Sequence, residues 1–143
     1  MADIKAINYD RTAVADRGGD VVVDRKPWPV TKQADGDKVH VGFLPAGHRL
    51  NKGDSAVVAD GATPALTYSL ILVDDDGTLI TLISGDAITA STFKKTALGI
   101  TNANLKTIGV SQLNRDIYLL LSTAPTATGG NIFVDLQYRA TPY

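Results

Sequence analysis

A two-residue alternation near the C-terminus constrains this chain more than any other feature. Ile132, Val134, Leu136 and Tyr138 alternate with Asn131, Phe133, Asp135, Gln137 and Arg139. In an extended backbone this puts an apolar set on one face and a mostly polar set on the other. A helix would scatter the same residues around its circumference, so the segment reads as a half-buried strand. The same period places Val39, Val41 and Phe43 on one face of a second strand, with Lys38, His40 and Gly42 on the other. Leu66 to Val73 and Ile117 to Leu121 carry apolar residues on both faces and are rich in β-formers, as befits central strands covered on both sides.

Turn signals separate these runs: Pro45-Ala46-Gly47, Asn51-Lys52-Gly53, Asp74-Asp75-Asp76-Gly77 and Gly129-Gly130. Glycine supplies positive φ there, and Asp or Asn bonds its own backbone. Leu79-Ile80-Thr81-Leu82-Ile83 follows the triple-aspartate turn and should form a hairpin with residues 66 to 73. Ala87 to Leu98 fits a short helix or a strand equally well. Thr123 to Gly130, rich in Thr, Ala, Pro and Gly, reads as a loop. Many strands joined by tight turns point to an all-β sandwich.

At 143 residues, 44% apolar and 20% charged, the chain has the composition of a globular domain large enough to bury a core without a metal or disulfide staple. Its net charge is -1, and basic residues never gather beyond the pairs Arg25-Lys26 and Lys94-Lys95. Direct nucleic-acid binding is therefore not expected. No run approaches the eighteen apolar residues of a membrane span, and the first residues, Met1 to Lys5, lack a basic and an apolar signal region. A soluble chain made in the cytoplasm, with no membrane partner, is the expectation.

Residues 1–36 differ from the rest. Tyr9 to Lys26 mixes Asp10, Asp16, Asp20 and Asp24 with Arg11, Arg17, Arg25 and Lys26 around Gly18-Gly19, with little periodicity. We read 1–36 as an extended N-terminal arm and 37–143 as the sandwich domain. Such an arm is either a solvated terminus or a segment that docks on a neighbouring subunit, and we adopt the second reading. Pro27 and Pro29 hold the only tryptophan, Trp28, in extended backbone; its indole serves either core packing or an interface. Tyr9, Arg11, Trp28 and Tyr143 are the candidate interface residues, because aromatics and arginine carry most interface energy.

Enzyme templates fail in turn. His40 and His48 stand eight residues apart, which matches neither a helical zinc site nor the close pair of a cupin centre; both read as solvated, and no metal is expected. The triple aspartate has Leu72 where an EF-hand would need its first oxygen, so turn chemistry explains it. Gly53-Asp54-Ser55 lacks the closing glycine of a nucleophile elbow, with Val57 in its place. No phosphate-cradling glycine loop occurs. All fifteen acidic residues are aspartate, which weakens any paired-carboxylate reading. There are no cysteines. No catalytic residue and no cofactor is expected.

Three segments carry a family resemblance. The opening Met1-Ala2-Asp3-Ile4-Lys5-Ala6-Ile7-Asn8-Tyr9, the stretch Val41-Gly42-Phe43-Leu44-Pro45-Ala46-Gly47-His48-Arg49-Leu50 and the closing Ile132-Phe133-Val134-Asp135-Leu136-Gln137-Tyr138 together resemble small virion structural proteins of tailed phages. In that group a Leu-Pro-x-Gly turn follows an early strand and an alternating strand ends the chain. The resemblance covers both ends and the first third, not residues 84–115. It implies a jelly-roll-like β-sandwich, non-enzymatic, acting as a capsid decoration (cement) protein. Such a protein binds the major capsid protein on the outer capsid surface of the virion, often as a homotrimer, and stabilises the shell against internal DNA pressure. The rival function is a head-fibre or tail-associated carbohydrate- or receptor-binding module.

Overall fold

The computed structural model describes residues 3–6, 21–99 and 111–140. Among them nine strands build two sheets: β1 (Asp3–Lys5), β2 (Val21–Pro29), β3 (Lys38–Leu44), β4 (His48–Asp60), β5 (Leu66–Val73), β6 (Leu79–Ile88), β7 (Phe93–Ala97), β8 (Arg115–Thr123) and β9 (Asn131–Ala140). The five-stranded sheet has the order β1-β3-β8-β5-β6 and the four-stranded sheet β2-β9-β4-β7. From β2 onward the chain crosses between sheets at every connection except the β5–β6 hairpin. This wrapping of eight strands into two packed sheets is a jelly roll.

The alternating strands aim their apolar sets into the space between the sheets. Ile132, Val134, Leu136 and Tyr138 of β9 are all buried and face Val39, Leu70, Leu72, Ile117, Leu119 and Leu121 in one core. Each such aliphatic side chain removed from water contributes about 1.5–3 kcal/mol before the ordering entropy is subtracted. β8 and β5 are central strands, as their apolar character required. The triple-aspartate turn closes the β5–β6 hairpin, with Asp74 N donating to Thr78 O, Thr78 N to Asp76 Oδ1, and Gly77 at φ +84°.

Several expectations need correction. In β3 the register shifts between His40 and Gly42. A one-residue bulge flips everything beyond it, so Leu44 is buried and Phe43 turns outward opposite Asp116. Asn51-Lys52-Gly53 is not a turn but lies within β4, where the ladder to β9 breaks between Asn51 and Ala56. There Ser55 Oγ donates to Asn51 O at 2.6 Å and accepts from Gln137 N at 3.0 Å, standing in for missing ladder bonds. Ala87 to Leu98 holds the end of β6, a turn and β7.

The boundary at residue 36 also moves. Val21–Pro29 pairs along its length with β9 and belongs to the four-stranded sheet. Its period was disguised because Asp24 and Lys26 share the inward face with Trp28. The prolines fit because β2 is an edge strand. Val30 N donates to Gly130 O, so the even positions bond β9 and the nitrogens of Pro27 and Pro29 face the open edge. Residues 7–20 lie outside the described residues.

The two ends of the sandwich are built differently. At one end the β2–β3, β4–β5, β6–β7 and β8–β9 loops are tied to one another. Asp60 accepts from Ala62 N at 2.9 Å and Asn131 N at 2.8 Å, and Asp35 from Ala124 N at 2.8 Å. Ser91 N bonds Thr63 O, Gln33 N bonds Pro125 O and Gly129 N bonds Val30 O. Gly130 sits so close to the Ala62–Thr63 peptide that a Cβ would come within 2.6 Å of it. Near this end Asp86 of β6 clasps the edge of the other sheet, accepting from Lys94 Nζ at 2.6 Å and Thr96 Oγ1 at 2.7 Å.

Candidate interaction surface

The opposite end is where the remaining chain attaches. β2 begins there opposite Arg139, β7 ends there at Ala97, β8 starts there opposite Leu44, and β9 ends there opposite His48. The stretches 7–20, 100–110 and 141–143, outside the described residues, therefore all join the sandwich at this one pole. Its described turns are held through side chains as well as by the backbone bond from Gly47 N to Ser111 O. Asn114 Oδ1 accepts from Ala46 N at 2.8 Å, Ser111 Oγ donates to the Asp75 carboxylate, and the buried Arg115 guanidinium lies 3.6 Å from Asp74 Oδ1. Leu113 stands in solvent beside them.

Beneath this pole the interior is polar. Lys26, fully buried, lies 3.5 Å from Asp24, and Tyr138 donates its hydroxyl to the same carboxylate at 3.3 Å. Burial, then the Asp24 charge, pushes the Tyr138 phenol far above its ordinary titration range. The Lys26 stem fills the space over Gly42, where a Cβ would meet Cε at 3.2 Å. His48, expected to be solvated, is 5% exposed, edge-on to Tyr138 with Nδ1 3.0 Å from Ala46 O. The Pro45–Gly47 turn folds the chain back over the sandwich and carries His48 under it.

Two edges complete the surface. Among the described residues no strand pairs with the outer side of β2: the backbone groups of Val21, Val23 and Arg25 point away from β9 by the same alternation that turns the proline nitrogens outward, and Val23 is 71% exposed. Arg25 forks onto Asp135 at 2.7 and 2.8 Å and lies 4.5 Å over the Phe133 ring. On the other sheet β1 runs parallel to β3. There His40, also expected in solvent, is mostly covered: Nδ1 is 2.6 Å from Asp116 Oδ2 and Nε2 is 3.4 Å from Asp3 Oδ1.

No family model matches this chain, and no curated protein does. Solved structures do. A chain in the structure of the capsid of Ralstonia phage GP4 superposes with a TM-score of 0.71 at 19% identity, covering 99% of each chain. The two share one fold from end to end. Structures of infectious bursal disease virus are more distant. The Gx strain gives a TM-score of 0.48 at 14% identity over 88% of this chain and 34% of that one. The T13 particle gives 0.48 at 10% over 91% and 38%. Neither bears on function at that distance.

Of the candidate interface residues, Tyr9, Arg11 and Tyr143 lie outside the described residues. Trp28 is 2% exposed and packs in the core on the inward face of β2, opposite Ile132. Trp28 is the one of the four that lies among the described residues, and its place there is in the core. Sequence reasoning missed the His40–Asp116 pair, whose members are 76 positions apart. It also missed the open start of β2, for which Val21-Val22-Val23 before a charged pair was the available signal.

Proposed function

We propose that this chain is a non-enzymatic structural protein of a tailed-phage capsid, and within that class a decoration protein that cements the outer surface of the shell. The observation that carries the reading is the end-to-end likeness to a chain of a phage capsid structure, with neither chain left over. The partners would be the major capsid protein and further copies of the chain itself, most simply as a homotrimer. Contacts would come from the pole where 7–20, 100–110 and 141–143 attach, a placement that suits Tyr9, Arg11 and Tyr143 as interface residues.

The work is mechanical. A protein that binds only the assembled shell stabilises it by mass action, by about 2.7 kcal/mol per site when its free concentration is 100 times Kd. Neither turnover nor a cofactor is required. The test is the number of copies per purified virion, measured by quantitative mass spectrometry against the major shell protein. Hundreds of copies are expected. A few tens would move the chain to a head fibre or tail, and absence from the particle would overturn the capsid role. Particles stripped of the chain should also release DNA at lower temperature or lower external salt, where packaged DNA repels itself more strongly.

A further inference from the structure

β1 is attached to the sandwich by little, yet its seat is specific. Three residues pair with β3, Asp3 with Lys38, Ile4 with Val39 and Lys5 with His40. Ala6 N then donates to His40 O at 2.9 Å, and the Ala6 side chain is buried against the core. On the outer face His40 is fixed by Asp116 at 2.6 Å and by the tilted Tyr118 ring at 5.5 Å, with Lys38 Nζ over that same ring at 5.2 Å. So held, it presents Nε2 to the Asp3 carboxylate. Among the described residues the hydrogen-bonding and ring groups of the seat belong to β3 or β8, and the groups they receive belong to Asp3 through Ala6. The contacts are therefore the same whichever copy of the chain supplies the strand.

We infer that β1 is an exchangeable strand: in the crowded assembly, Asp3–Lys5 of one copy docks on β3 of a neighbouring copy. Covalent reach permits this. Positions 6 to 20 separate Lys5 from Val21, and fifteen residues span at most about 50 Å. That exceeds the width of a domain this size, whose radius of gyration is about 14 Å. A covalent connection of this length gives its own strand an effective concentration of the order of millimolar at most. Copies side by side on a shell present each other's β1 at comparable concentration, so exchange gives up no contact and links neighbours. The inference rests on the capsid reading only for that crowding.

The absence of cysteine makes a clean test. Asp3 and Lys38 are direct partners across the β1–β3 pair, within the spacing a disulfide bridges. Asp3→Cys and Lys38→Cys chains are purified separately, mixed from micromolar to millimolar concentration and oxidised, and the double variant is oxidised alone at high dilution. The expected result is that the double variant closes within one chain when dilute, whereas the mixture forms disulfide-linked dimers. Their yield should rise with concentration to several-fold above either single variant alone. A mixture no better than the single variants at any concentration overturns exchange. Failure of the double variant to close overturns the seat itself. Copy number in virions is read independently, so the capsid role and the exchange can fail separately.

Discussion

The two poles of this sandwich solve the same problem, closing the ends of two sheets, by different means. At one pole four loops bond each other's backbones, and Asp60 and Asp35 cap amides of loops distant in sequence. At the other, one backbone bond, from Gly47 N to Ser111 O, is joined by side-chain bonds from Asn114 and Ser111, over a polar cluster of Asp24, Lys26, His48 and Tyr138. The first arrangement joins loops that are far apart in sequence directly to one another. The second pole gathers the attachment points of three further stretches of chain.

Substitutions at equivalent glycines should break or sharpen that contrast. Gly130→Ala forces a side chain into φ +65° with backbone atoms 2.6 Å away. We expect a loss of about 3 kcal/mol, a fall of about 10 °C in Tm by calorimetry. Asp60→Ala at the same pole leaves two amides uncapped and should cost about 2 kcal/mol by urea unfolding. Gly47→Ala at the opposite pole has φ +77° with nothing within 4 Å of its Cβ, so only the backbone conformation is strained, at about 1 kcal/mol. Equal losses for the two glycines would erase the distinction between the poles.

Between these effects falls Asp86, which fastens β6 to β7 near the tied pole. Burial works against its charge, but the hydrogen bonds from Lys94 and Thr96, with Tyr68 beside them, prevail and hold its carboxyl below the ordinary 3.8. The unfolded chain therefore binds the proton first as pH falls. The clasp's contribution is complete above about pH 4 to 5 and is lost as pH drops through the folded-state value. Asp86→Asn should cost about 1.5 kcal/mol at pH 7, and the gap from the parent should close toward pH 2 in a pH series of thermal melts. A gap independent of pH would mean the carboxylate charge plays no part.

Legibility in the sequence followed the uniformity of each strand's environment. β9 was readable because every residue on its inward face is a large apolar or aromatic one, Tyr138 included although its hydroxyl reaches Asp24, and β5 and β8 because both their faces carry buried apolar residues. β2 was hidden because its inward face passes from Trp28 in the core to Lys26 and Asp24 at the polar pole, so no apolar alternation survives. β4 was cut in two by a bulge whose Asn51-Lys52-Gly53 chemistry imitates a turn, and Phe43 was misplaced because a bulge changes parity without leaving a compositional mark. The His40 seat depends on strands meeting across 76 and 37 residues, and no local pattern encodes such pairings.

The place of the last strand has a consequence for how the molecule comes into being. β9 lies between β2 and β4, and β8 between β3 and β5, so the final thirty residues of the chain supply a central member of each sheet. Among the described residues β2 has no lateral neighbour until β9 has been made, and β3 has only the short β1 until β8 has. Completing the four-stranded sheet is therefore a late step that closes contacts more than 100 residues apart, such as Arg25 with Asp135. Chains cut short after residue 130 would keep the five-stranded sheet and the β4–β7 pair but would leave β2 without its described partner and β4 with an open edge, and such chains would tend to aggregate.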